Sequence, residues 1–142
     1  MRVTSPEFEN NSHIPRKFSG LGDDINPELI IEDIPPEAKS LALIVDDPDA
    51  PMGTWVHWVV FDIPVASRIE EDNIPGKQGI NDFGRKNYGR PCPPSGTHRY
   101  FFKIYALDTM LNLEEGISKT DLEKAMEGHI MDKAELIGLY KR

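Results

Sequence analysis

Three short runs of almost uninterrupted apolar and β-branched residues constrain this chain more than any other feature. They are LALIV at 41–45, WVHWVVFDI at 55–63 and YFFKIYAL at 100–107. Continuous apolar character, without the alternation of a half-wet strand, predicts strands covered on both faces near the middle of a packed sheet. Twelve prolines and eleven glycines cut the rest into short pieces, which suits strands and turns better than a helical bundle. A further strand is expected at 29–33, closed by Pro35-Pro36. One helix start stands out, the capping-box pattern Thr120-Asp-Leu-Glu123, with the helix fading near Gly128. The final segment, AELIGLYKR, reads equally as a helical turn or as a closing strand.

The whole, 142 residues, fits one domain over residues 1–142 with no internal repeat or linker. A formal net charge of -8 without any Lys/Arg cluster argues against nucleic acid as a partner. No run is long enough for stable membrane insertion, and the first residues carry no apolar leader. A single cysteine, Cys92, excludes an intrachain disulfide framework and is compatible with a reducing compartment, so the expected location is cytoplasmic.

Three clusters carry candidate chemistry, each where a buried strand meets a loop. The first is DDPDAP at 46–51. Its prolines restrict the residues before them, so Asp47 and Ala50 are held extended, and Asp47 is rigidly placed. A proline-stiffened turn with solvated acids is the competing reading. The second is His57, an imidazole in an apolar strand that must find a hydrogen-bond partner. Strict alternation puts it on one face with Trp55 and Val59, opposite Val56, Trp58 and Val60. A core histidine satisfied by a neighbour is the alternative. The third runs from PCPP at 91–94 to His98-Arg99-Tyr100. His98 and Tyr100 share a face and offer converging donors, while Arg99 faces away, toward a carboxylate such as Asp49. The loop before them can expose backbone N–H groups to an anion. The 64–97 segment that contains it, dense in Gly, Pro and Asn, is long enough to be functional.

DDPDAP followed by WVHWVVFDIP, and NDFGRKNYGRPCPPSGTHRYFFKIYALD after it, closely resemble the phosphatidylethanolamine-binding protein family in its bacterial and archaeal branch. The likeness extends over most of the chain. It implies a mainly β fold, a Greek-key sandwich of two antiparallel sheets with a few short helices, and it favours the closing-strand reading of AELIGLYKR. It also implies that the clusters meet in a small cavity for phosphate, acetate or a similar anion. The ligand-binding residues implied are Asp47, Pro51, Trp55 and His57 from the first motif, and Cys92, Pro93, His98 and Tyr100 from the second. Asp49 and Arg99 would support them. Family members are associated with phospholipid head groups, with kinase control in eukaryotes and with serine protease inhibition. Relatives of the same branch form homodimers, so a dimer is expected. Prokaryotic relatives often read Gly-Tyr-Gly-Gly before PCPP, whereas Asn87-Tyr88-Gly89-Arg90 stands here, which puts Arg90 at the pocket mouth. The sequence stops at Arg142, just after the expected closing strand, without the extension of many eukaryotic members.

The leading expectation is therefore reversible binding of a small phosphate- or carboxylate-bearing ligand, with neither metal nor cofactor. Asp47 would orient a histidine or meet the ammonium of a zwitterionic ligand. Two alternatives remain. A serine protease could be inhibited by the stiff 84–97 loop. Weak hydrolysis could use Cys92 or Ser95 with His98, although neither lies in a nucleophile-elbow pattern and the spacing fits no zinc signature.

Overall fold

The computed structural model describes residues 1–20, 22 and 25–141. In chain order the elements are β1 (Arg2–Thr4), β2 (Ser12–His13), a 3-10 turn (Arg16–Phe18), β3 (Leu29–Glu32), β4 (Ser40–Asp47), β5 (Trp55–Ile63), β6 (Arg68–Ile69), β7 (Lys77–Gln78), β8 (Thr97–Leu107), α1 (Lys119–Met126) and β9 (Ile130–Lys141). Among the described residues they form a six-stranded sheet, ordered β2-β9-β8-β4-β5-β7, and a small sheet, ordered β1-β3-β6. The fold is thus the expected mainly β, two-sheet arrangement. Pairing is antiparallel throughout except that β2 runs parallel to β9. The last described residues belong to β9, so AELIGLYKR closes the sheet, with Arg142 outside the described residues. No helix among the described residues is long and apolar enough to cross a membrane.

The apolar runs take the central places for a simple reason. The large sheet is covered on both faces, so β4 and most of β5 have no wet side for a polar residue to face. Leu41, Leu43 and Val45 join Trp58, Val60, Phe102 and Ile104 in a core shared with Val3, Leu29, Ile31 and Ile69 of the small sheet. Ala42 and Ile44 point the other way and join Val59, Phe61, Leu122 and Met126 beneath α1. Fully burying side chains of this size contributes roughly 1.5–3 kcal/mol each.

The same alternation separates the two acids that end β4. Asp46, 1% exposed, lies on the α1 side, where Lys103 Nζ and Lys119 Nζ donate to its Oδ2 at 3.0 and 2.9 Å. That shared carboxylate ties the start of α1 to the sheet. Asp47 turns instead toward the inter-sheet face.

Two expectations are corrected in detail. The capping box expected at Thr120 gives way to an N-cap at Ser118, whose Oγ accepts from Asp121 N at 3.1 Å. Ser118 and Asp121 have the same three-residue spacing as Thr120 and Glu123, and Lys119 must lie in the first turn to reach Asp46. The third long strand begins at Thr97 rather than at Tyr100, so His98 is a strand residue held by pairing with Tyr140.

Asp46→Ala is expected to lower stability by about 2 kcal/mol. That is less than the roughly 3–5 kcal/mol for breaking a fully buried pair, because both ammonium groups keep some solvent. A fall in the urea midpoint at unchanged m-value is the measurement.

Candidate functional site

Asp47 ends β4, Trp55 opens β5 and His98 is the second residue of β8, so three adjacent strands bring their candidate residues to one end of the sheet. There they line a hollow of about 200 Å3, with Asp47, Pro51, Trp55, His57, Cys92, Pro93, His98 and Tyr100 all in its wall. Ala50, Phe83 and Pro94 complete it. Arg90 is not part of the wall. Its side chain packs instead against Gly20, where an added Cβ would come within 2.8 Å of Arg90 Nε. Ser95 is exposed and also outside the wall.

His57 reaches the hollow by breaking the alternation that the sequence suggested. On β4, Val45 pairs with Trp58 and Asp46 with Val56, so one step on β4 answers two on β5 and His57 is the extra residue. This β-bulge resets the faces. Val56 and Val59 belong to the core under α1, whereas Trp58 and Val60 belong to the inter-sheet core. Released from the ladder, the His57 ring packs edge-on against Tyr100 at 5.1 Å between centroids. The expectation that Val59 shares its face is therefore wrong.

The outer edge of β5 is covered here by a loop rather than a strand, because β7 pairs only with Val60 and Phe61. Asp82 N donates to Val56 O, and Val56 N donates back to Asp82 Oδ2. One step along, Gly89 N donates to His57 O at 2.7 Å, and His57 Nδ1 donates to Gly89 O at 2.7 Å. Asn81 Nδ2 donates to His57 O at 3.2 Å, and Asn81 Oδ1 closes its own turn by accepting from Phe83 N and Arg85 N. Only glycine fits at 89, since a Cβ there would stand 2.5 Å from the Phe83 ring and 2.9 Å from His57 O. Phe83 in turn packs edge-on against both Trp55 and His57.

These bonds fix the proton on one nitrogen. A carbonyl can only accept, so His57 carries its proton on Nδ1, and Nε2 is left for the hollow. Burial, at 4% exposure, pushes the ring below its ordinary value of 6.5 and outweighs the carbonyl of Gly89 and the acids Asp47, Asp46 and Asp82. His57 is thus neutral at pH 7.

Asp47 orients the second ring. His98 Nδ1 donates to Asp47 Oδ2 at 2.6 Å, and the other carboxylate oxygen accepts from Asp49 N at 2.8 Å. Both oxygens are engaged, which favours the orienting role over contact with an ammonium group. Arg99 faces outward and forks onto Asp49, with Nε and Nη2 each donating at 2.9 Å. Its guanidinium holds the Asp49 carboxyl below the ordinary range. Tyr100 is 1% exposed, and among the described residues no protein group shares a hydrogen bond with its hydroxyl. Burial, with Asp47 nearby, raises its phenol, so it stays a donor. Cys92 is exposed and in no disulfide. Among the described residues no group of three or more His, Cys, Asp or Glu is placed to hold a metal.

Phe83, Asn81 and their role in seating His57 were not anticipated. The available signal was Asn81-Asp-Phe-Gly84, in which an Asx residue two before an aromatic and three before a glycine announces a tight turn.

A two-sheet β-sandwich with an Asp–His pair, a second histidine and a buried tyrosine converging at one end defines a narrow class of protein. The profile of the family described as phosphatidylethanolamine-binding protein matches residues 4–141, and this chain belongs to that family. It is 50% identical over 150 aligned residues to a UPF0098 protein of Methanothermobacter thermautotrophicus, covering 100% of this chain and 99% of that one. A UPF0098 protein of Chlamydia muridarum is 48% identical, with the same coverage. Among solved structures, a phosphatidylethanolamine-binding protein homologue of Chlamydia trachomatis superposes with a TM-score of 0.96 at 45% identity, covering 99% of this chain and 97% of that one. Escherichia coli YbcL, described as a member of the mammalian family, gives 0.91 at 29% identity, with 99% and 98% covered.

Two outcomes follow. Gly89→Ala forces either Phe83 or the His57 backbone to move, and is expected to cost about 1–3 kcal/mol, read as a lower urea midpoint together with shifted His57 ring signals. Neutral burial of His57 also makes stability depend on pH. Between its folded value and 6.5 the unfolded chain binds a proton that the folded chain refuses. Its contribution is complete above 6.5 and is lost as pH falls through the folded value. His57→Gln should therefore flatten part of the acid limb of a stability-against-pH curve.

Proposed function

We propose that the hollow reversibly binds a small phosphoryl- or carboxylate-bearing anion, such as phosphate or a phosphoryl head group. The observation that carries this reading is the Tyr100 hydroxyl, a buried donor whose missing partner would cost about 1–3 kcal/mol if nothing ever met it. Beside it, His57 and His98 each commit Nδ1 to a fixed acceptor and leave Nε2 for a ligand. Asp47 orients His98 while its own oxygens are satisfied, so it does not confront the anion as a bare charge. A volume of about 200 Å3 suits a head group rather than a whole lipid.

We read the protein as a binding module rather than an enzyme, since both rings are tied into positioning contacts and Cys92 is exposed at the wall. Titration with inorganic phosphate and with phosphoethanolamine, followed on the His57 and His98 ring signals, is the test. Movement of both rings at millimolar ligand is expected, and a Tyr100→Phe chain should bind about five- to tenfold more weakly, the worth of one hydrogen bond. Unmoved rings would remove the proposal.

A further inference from the structure

Resting on that anion-binding reading, we propose that the hollow selects oxyanions that carry an exchangeable proton, such as hydrogen phosphate or a phosphomonoester, over fully ionised oxyanions of the same shape such as sulfate. The argument is one of hydrogen-bond direction. The two-way lock between His57 and Gly89 holds the ring proton on Nδ1, facing a carbonyl that can do nothing but accept. The nitrogen left for the hollow therefore presents a lone pair. An oxygen with a full negative charge and no proton meets that lone pair repulsively, whereas a P–OH donates to it.

The proton count follows from this. The complex holds one proton more than neutral His57 and a fully ionised anion bring together. Dihydrogen or hydrogen phosphate supplies that proton from its own hydroxyl, while sulfate must draw it from bulk water onto Nε2. The ring's surroundings decide how costly the second route is. Asp46 and Asp47 on β4 and Asp82 in the covering loop favour a proton on the ring, yet burial outweighs them. Asp46 is engaged by Lys103 and Lys119, and Asp47 by His98. From β8, the uncharged Tyr100 ring packs against His57, and His98, held by Asp47, lines the same hollow, as does the exposed Cys92. No lysine or arginine lines the hollow among the described residues, so the proton is the positive charge the His57 side can offer.

The experiment is calorimetric titration of the full chain with inorganic phosphate and with sodium sulfate at fixed ionic strength, from about pH 6 to about pH 8, in two buffers of different ionisation enthalpy. Above the titration of folded His57 the ratio of phosphate to sulfate affinity should rise about tenfold per pH unit, since both ionised forms of phosphate in this range keep a hydroxyl. Sulfate binding should take up about one proton per anion. In a His57→Gln chain, which cannot titrate there, the ratio should not change with pH. If that variant does not fold, the wild-type series still decides. An affinity ratio constant with pH in the wild-type protein, with no proton uptake, would overturn the selectivity while leaving anion binding intact. No heat and no ring-signal change with either anion would instead remove the anion-binding reading on which it rests.

Discussion

The organisation of this protein depends on one bulge and the glycine that answers it. By giving β5 one residue more than β4 at His57, the chain turns an imidazole out of a ladder that would otherwise bury it among valines. The outer edge of β5, which β7 is too short to cover here, is filled by Gly89, whose N–H and C=O both bond to His57. A side chain at 89 would collide with Phe83, so the close approach depends on its absence. Ring position, ring tautomer and the seating of the 81–89 segment are thus set together. The long excursion between β7 and β8 is less a loose loop than a cover strapped to the strand it protects.

The two carboxylates at the end of β4 show how a buried strand can serve two purposes. Each acid would be expensive to bury alone, and each has a cationic or hydrogen-bonding partner that the alternation of the strand provides. Asp46 fastens α1 to one face; Asp47 orients His98 on the other. Neighbouring residues of one strand therefore hold the scaffold and the hollow separately. This is why the site can sit at the rim of a well-packed core without opening it.

Much of this was legible in the sequence. Uninterrupted apolar runs announced the central strands, and turn residues announced that the pieces between them were short. The eight hollow-lining residues that the resemblance implied are all in its wall. The face of His57 was not legible, because a bulge is a property of two strands in register and leaves no mark on one strand alone. The contact of Arg90 with Gly20 was not legible either, since it joins two segments about seventy residues apart. Phe83 and Asn81 lay within a segment read only as turn-rich, and their importance arises from β7 being too short to cover the start of β5.

The account stands or falls on the direction of the hydrogen bond from His57 to Gly89. Long-range proton–nitrogen correlation of the imidazole rings near neutral pH reads it directly, with the free protein and no ligand. We predict a neutral His57 with Nδ1 protonated and Nε2 bare. A proton found on Nε2, or a ring already charged at pH 7, would contradict it.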